Sequence, residues 1–344
     1  MSLPEVHLVG ASRAEALRLA PVAIAMQAQG RVTPLLLATG PDPAAVDRTF
    51  AAFGLTPQLS FGIADDQAEA VHRLDSLWAA RTPAAVVLRD SLAAATAAYW
   101  RRIPIVQVDA GRRFGELSAT PGGGDAERRM LTQLATVHLA ATPLAAMNLL
   151  DERVNAGDVL LTGGTVADAT QALALRRGSV ATRSGRPVLI SAEPALATSV
   201  ARAVRGLTAR FPDLAVIVVK GPLASADRAR LLAEAYLVIT DDEDLPEETL
   251  AAGTPVLLLG DTAGHAESLY AGSVRETGPD PASVAADVAE LLDGRVRRDA
   301  MAACGNPHGD GLAAYRVAQA PPAQLGHGQF PDPMPARPTA GVSR

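Results

Sequence analysis

Short apolar runs alternate with longer amphipathic stretches along most of this chain. Residues 6–9, 35–37, 85–88, 105–108, 138–141 and 159–161 are apolar runs of strand length. Residues 14–29, 65–80, 92–100, 126–135 and 143–151 read as helices, and 41–53 reads as a loop running into a helix. A polar, mixed segment at 176–186 is a candidate link, after which the alternation resumes. Apolar runs at 187–191, 214–219, 235–239 and 255–259 are separated by helices predicted over 196–211, 225–235 and, briefly, after Asp244. A further helix is predicted over 281–292, and a last one over 310–318. Such alternation predicts parallel sheets wrapped by helices. The expected fold class is α/β, with two doubly wound parallel-sheet domains facing a cleft. The expected boundaries are 1–175 and 186–300, then a helical region at 301–318. From 319 to 344 the chain is rich in Pro and Gly and poor in apolar residues, so a disordered tail is expected.

Composition narrows this picture. The chain has 344 residues, 48% of them hydrophobic, enough for two α/β cores. A net charge of -6 argues against a nucleic-acid footprint. Lys220 is the only lysine, so arginine carries nearly all positive charge. Cys304 is the only cysteine, which rules out an internal disulfide and fits a reducing compartment. The start, Met1-Ser2-Leu3-Pro4-Glu5, lacks the pattern of a signal peptide, and no uncharged apolar run reaches 18 residues. A cytoplasmic protein without a membrane span is expected.

In open α/β sheets, ligands sit at the carboxyl ends of the strands. The segments at those ends carry the sequence's most informative motifs. Residues 11–21 read ASRAEALRLAP, 88–93 LRDSLA, 107–114 QVDAGRRF, 137–142 VHLAAT and 161–169 LTGGTVADA. Residues 241–267 read DDEDLPEETLAAGTPVLLLGDTAGHAE, and 306–311 NPHGDG. In this order they resemble GTRPEAIKMAP, HGDTTT, HVEAGLRT, LHFAPT, VTGNTVIDA, DSGGxQEEAPxLGxPVLVLRDTTERPE and NPYGDG. Those are signatures of the non-hydrolysing UDP-N-acetylglucosamine 2-epimerase family. The resemblance covers about residues 5–315. It implies two Rossmann-like domains in the GT-B arrangement and a UDP-linked sugar as ligand. It also implies elimination of UDP to a glycal, followed by re-addition with C2 inverted. No metal or redox cofactor is implied, and the family is commonly dimeric.

Carried over position by position, Arg13 matches a nucleotide-contacting arginine beside a helix N-terminus, a good anion site. Arg18 stands for a lysine, keeping charge but not shape. Both read equally as solvated helix arginines. Asp90 matches the catalytic aspartate and reads equally as a helix N-cap. Asp109 replaces a glutamate, one methylene shorter, at a place where a base must lie within hydrogen-bonding reach. Arg128 matches the arginine of a PEExNR helix. Glu247 and Glu248 match a glutamate pair whose role includes ribose contact, or form a solvated helix face. His265 falls on an arginine and is largely neutral at pH 7. Asp261, Thr262 and His265 make only a weak metal set, and no metal is assigned.

Other positions depart from the pattern. The glutamate pair before Arg128 falls on Gly124 and Asp125, after a glycine run that suggests a flexible loop over 118–125. Where an HRREN loop supplies a histidine and cations, this chain reads Ala192-Glu193-Pro194-Ala195. Where Ser-Gly-Gly faces the phosphates, it reads Asp242-Glu243-Asp244. Like unit charges about 5 Å apart at an effective dielectric near 20 repel by roughly 3 kcal/mol per pair. On sequence alone this loop therefore reads as an acidic patch that repels a diphosphate. Two functions follow: a C2 epimerase of sugar-nucleotide metabolism, or a degenerate scaffold with a protein partner or a second copy of itself.

Overall fold

The computed structural model describes residues 2–62, 66–115, 124–176, 185–221, 223–260 and 263–335. The first sheet holds β1 (Glu5–Gly10), β2 (Thr33–Ala38), β3 (Leu59–Ser60), β4 (Ala85–Leu88), β5 (Ile105–Ala110), β6 (Val137–Ala140) and β7 (Val159–Leu161). Its order is β3-β2-β1-β4-β5-β6-β7, with every neighbouring pair parallel. The connecting helices are α1 (Arg13–Gln29), α2 (Pro43–Ala52), α3 (Gln67–Ala80), α4 (Leu92–Trp100), α5 (Asp125–Leu134) and α6 (Pro143–Asp151), and α7 (Val166–Arg176) follows β7.

The second sheet holds β8 (Arg186–Ser191), β9 (Leu214–Val218), β10 (Leu237–Thr240), β11 (Val256–Leu258) and β12 (Val274–Glu276), in the order β12-β11-β10-β8-β9 and again all parallel. Its helices are α8 (Pro194–Arg205), α9 (Ser225–Glu234), α10 (Leu245–Ala251), α11 (Ala266–Ala271), α12 (Pro281–Asp293) and α13 (Arg295–Ala303); α14 (Ala313–Gln324) ends the helical part.

Strand side chains alternate between two cores, as the pleat requires. Val6 and Leu8 of β1 join one cluster with α1 and α14, while Val9 joins another with α3 and α4. In the second domain, Val188 and Ile190 pack with α8 and α12, and Leu189 packs with Leu232 and Leu245 on the opposite face. Each sheet reverses its strand order once, between β1 and β4 and between β8 and β10. At those switch points adjacent loops part and leave a crevice.

The structure departs from the pattern reading in two respects. The tail predicted from 319 begins inside α14, where Pro321 and Pro322 are buried. Helix α14 packs on α1, and Met334 N donates to Leu161 O at 2.7 Å, so this stretch returns to the first domain. Up to residue 324 its nonpolar positions are alanines and prolines, which read as poor in core-forming residues in sequence. The pattern reading also missed α7, α11, α13, β3 and β12, which are short or alanine-rich. Most of the glycine-rich segment at 118–125 lies outside the described residues.

Candidate active site

The site is built where the two switch points face each other. The turn after β1 delivers Ser12 and Arg13; Ser12 caps α1 by accepting from Glu15 N at 3.2 Å. The turn after β4 delivers Arg89 and Asp90. The cap of α4 is Ser91, which accepts from Ala94 N, so Asp90 is free of the capping role open to it in sequence. Asp109, the residue before the last of β5, has φ 51, in the left-handed region that non-glycine residues rarely adopt. There the ladder to β6 slips, Val108 pairing Leu139 and Ala110 pairing Ala140, which turns the Asp109 side chain out of the strand. From the second domain come Asp241 to Asp244 after β10, and Glu247 and Glu248 on α10.

Arg18 stands at the centre. It is wholly buried, contrary to a solvated helix position. Its Nε donates to Asp109 Oδ2 at 2.7 Å, and its Nη2 donates to Asp244 Oδ1 at 3.0 Å and Glu247 Oε2 at 2.7 Å. Thr165 Oγ1 donates to its carbonyl at 2.8 Å, fixing the helix turn beneath it. Arg13 pairs with Glu248, whose other oxygen lies 3.2 Å from Arg228 Nε. Neither glutamate is therefore a solvated helix face. Arg89 reaches Asp90 at 3.2 Å, Asp244 at 3.5 Å and Asp109 at 3.6 Å. Arg112 lies 2.9 Å from Glu247, and Arg128 lies 3.3 Å from Glu243 and 3.7 Å from Asp90. Phe114 holds both of these arginines, with their guanidinium carbons 5.0 and 4.5 Å from its ring centroid.

The acidic patch is not bare. Asp242, Glu243 and Asp244 each face an arginine: Arg228 at 3.7 Å, Arg128 at 3.3 Å and Arg18 at 3.0 Å respectively. Arg89 and Arg112 went unassigned in sequence because Asp244 and Glu247, which they face, lie on the other domain, and Arg228 because it sits on a separate helix from Asp242. Asp242 Oδ1 also accepts from Asp244 N at 2.8 Å and Leu245 N at 3.0 Å, which shapes the turn into α10.

Charge follows from this geometry. Burial pushes the Asp244 and Glu247 carboxyls up, but Arg18 and its neighbours outweigh burial and hold both well below the usual range. Asp109 ends raised, because burial exceeds the pull of Arg18 and Arg89. Its Oδ1 has no hydrogen-bond partner. Glu15, on the first turn of α1, accepts from Ala11 N at 2.6 Å and is pushed up to about 7 by burial and by Asp90. His265 is buried and pushed down to about 4, chiefly by burial and then by Arg112, so it is neutral.

The positions aligned with lost family groups have other work. Asp125 is buried and accepts from Phe114 N and Gly115 N at 2.9–3.1 Å, and Gly124 offers no side chain. Glu193 caps α8, while its own N–H donates to Asp241 Oδ2 at 3.0 Å. Beside Asp109 a cavity opens between the domains, lined by Arg112, Thr142, Asn148, Glu267 and His308 among others. Thr142 donates to Glu267, and Ser268 and His308 pair at 2.6 Å. The TGG and NPHGDG motifs meet behind it. Gly164 N donates to His308 O at 2.6 Å, and a Cβ on Gly309 would stand 2.6 Å from Gly164 O. Among the described residues no cluster of three metal-ligating side chains occurs. No described helix is long and apolar enough to cross a membrane.

Two parallel Rossmann-type sheets facing a cleft, with their switch-point loops turned towards one another, define the GT-B class. Solved structures share the fold. A co-structure of S. aureus MnaA with UDP matches at TM-score 0.87 and 22% identity, covering 97% of this chain and 100% of that one. The Neisseria meningitidis UDP-GlcNAc 2-epimerase bound to UDP-GlcNAc matches at TM-score 0.81 and 21% identity, covering 92% and 99%. The UDP-N-acetylglucosamine 2-epimerase of Bacillus subtilis strain 168 is 26% identical over 361 residues, 92% of this chain and 94% of the relative. The family model described as UDP-N-acetylglucosamine 2-epimerase matches residues 24–192 and 180–320, and the chain belongs to that family.

Proposed function

We propose that the cleft binds a UDP-linked N-acetylhexosamine and inverts its C2 centre by elimination and re-addition of UDP. In this reading Asp109 and Asp90 are the acid–base pair. One takes the C2 proton as the bond from C1 to the UDP oxygen breaks; re-addition returns a proton to the opposite face and re-forms that bond. Arg13, Arg18 and Arg128 take the leaving diphosphate, and Glu247, Glu248 and His265 lie towards the nucleotide. The observation that carries the reading is Asp109. A buried carboxylate whose Oδ1 lacks a partner, on a left-handed residue at a strand end beside a cavity, suits a group kept for a ligand. Burial also raises the Asp109 carboxyl above its ordinary value, the direction that favours holding a proton. The relatives named for this activity, and the UDP and UDP-GlcNAc in similar folds, support it. Incubation with UDP-GlcNAc in D2O, followed by proton NMR, tests it. Exchange at C2 with appearance of UDP-ManNAc is expected. Intact, unexchanged substrate after prolonged incubation would remove the proposal.

A second reading has its own observation. The arginines of the cleft are already paired with carboxylates of the chain, and Asp125 and Glu193 are spent on backbone amides. That suits a family member that keeps the fold and serves as a scaffold, bound to another protein or to a second copy. Size-exclusion chromatography with light scattering, combined with the NMR assay, separates the two readings. A self-associated or partner-bound protein that leaves C2 unexchanged supports the scaffold.

A further inference from the structure

Two sets of departures from the family pattern meet in space. Where the motifs read Ser-Gly-Gly, this chain carries Asp242-Glu243-Asp244. Where HGD and AGLR place a glycine and a leucine, it carries Arg89 and Arg112. The acids sit on the second domain and the new arginines on the first. The Asp244 carboxylate lies 3.0 Å from Arg18, 3.5 Å from Arg89 and 3.8 Å from Arg112. Glu243 lies 3.3 Å from Arg128, and its carbonyl accepts from Arg112 at 3.1 Å. Three guanidinium groups converging on one small anion is the arrangement used to bind a phosphate group. Glycines at 243 and 244 would take the Asp244 carboxylate away from Arg18, Arg89 and Arg112, leaving them only Asp109, Glu247 and Asp90. The turn is already shaped by Asp242 and needs little further ordering to present its acids. Being tethered, those acids compete at high effective concentration with any free anion.

We propose that Glu243 and Asp244, presented by the turn that Asp242 shapes, are a built-in stand-in for a diphosphate: they dock in the arginine cradle and clasp the two domains together without a ligand. Docked loop and bound diphosphate exclude one another. A nucleotide sugar enters only by using its base and sugar contacts to displace the loop. This rests on the reading above in taking the cradle as the diphosphate's place. It does not depend on the chemistry at C2.

Inorganic pyrophosphate is the probe, because it carries neither uracil nor sugar. Thermal unfolding of the full chain is followed with and without millimolar pyrophosphate, for wild type, Asp244→Asn and Glu243→Gln. The wild type should unfold at one temperature in both conditions. The variants should unfold several degrees lower and recover most of that loss with pyrophosphate, Asp244→Asn the more strongly. Should Asp244→Asn fail to accumulate folded, Glu243→Gln carries the same comparison, since Glu243 is half-exposed and removes one pair only. Equal pyrophosphate shifts in wild type and variants, or variants that unfold at the wild-type temperature, would overturn the stand-in. An inactive protein that gives the expected shifts leaves it standing and sinks only the epimerase reading.

Discussion

Arg18 Nε donates to Asp109 Oδ2 across 2.7 Å, although the two residues lie 91 positions apart and both side chains are almost fully withdrawn from water. The pair is one arm of a four-charge knot in which Arg18 faces Asp109, Asp244 and Glu247. Arg89 and Arg112 face the same carboxylates, but Arg18 makes three hydrogen bonds to them from a fully buried position, so removing it leaves buried charge under-compensated. Arg18→Met should cost about 3–5 kcal/mol in guanidinium chloride unfolding, because it breaks three buried charge-assisted hydrogen bonds at once. Arg18→Lys should recover only part of that loss, because one ammonium cannot reproduce the fork that reaches three partners. A loss under about 1 kcal/mol for Arg18→Met would mean that the acids turn out into solvent instead.

Asp109 combines a positive φ with a partnerless oxygen. Asparagine tolerates the left-handed region and keeps the side chain's shape, so Asp109→Asn should stay folded. If Asp109 moves the C2 proton, solvent-deuterium exchange into UDP-GlcNAc should fall by about 100-fold or more, the range for a general acid–base group. Exchange at the wild-type rate would remove Asp109 from the chemistry and leave it a partner of Arg18 alone.

Gly264 lies against the ring of Phe114: a Cβ there would stand 2.0 Å from the ring edge. That ring orients Arg112 and Arg128. Gly264→Ala should therefore cost about 1–3 kcal/mol in urea unfolding, as overpacking does. It should also weaken binding of UDP measured by calorimetry, because both arginines move. Phe114→Leu removes the clash, so the double variant Phe114→Leu/Gly264→Ala should regain stability. A Gly264→Ala protein as stable as wild type would show that the ring swings aside freely.

The architecture was legible because strands and helices announce themselves locally. The runs at 85–88 and 105–108 could form little else, and Ser12 marks its helix by its own side chain. The charge balance of the cleft was not legible. Asp244 reads as one acid among four, and its arginines lie on other strands; Arg18 alone is 226 positions away. Arg89 reads as an ordinary loop residue beside Asp90. The one available signal was the coincidence of new arginines in the LRD and AGRR motifs with new acids in the DDED motif, a pairing visible only across motifs. Asp125 reads in sequence as a departure from a glutamate pair, and its commitment to the amides of Phe114 and Gly115 depends on a chain reversal that sequence does not specify. The extent of α14 was hidden because Pro321 and Pro322 break helices unless, as here, the end of the helix is packed against a core.

Glu15 makes the pH response of this cleft testable. Burial, then the negative charge of Asp90, push its carboxyl from 4.5 to about 7, against the N–H of Ala11 and the charge of Arg89. The folded protein therefore holds a proton that the unfolded chain has released. Stability from this group is full below pH 4.5 and is lost as the pH rises through about 7. A gap of that size corresponds to at most about 3 kcal/mol. Glu15→Gln keeps the shape and carries no titrating proton, so its urea midpoint should be flatter between pH 5 and 8 and higher than wild type at pH 8. Other groups titrate nearby. Asp168, pushed by burial to about 6, acts in the same direction, while His138 and His265, pushed by burial to about 4, lose stability as the pH falls. Both proteins share those groups, so the difference between their pH curves isolates Glu15. A difference that stays constant from pH 5 to 8 would show that Glu15 is ionised throughout, and that the cleft carries one more negative charge than its burial permits.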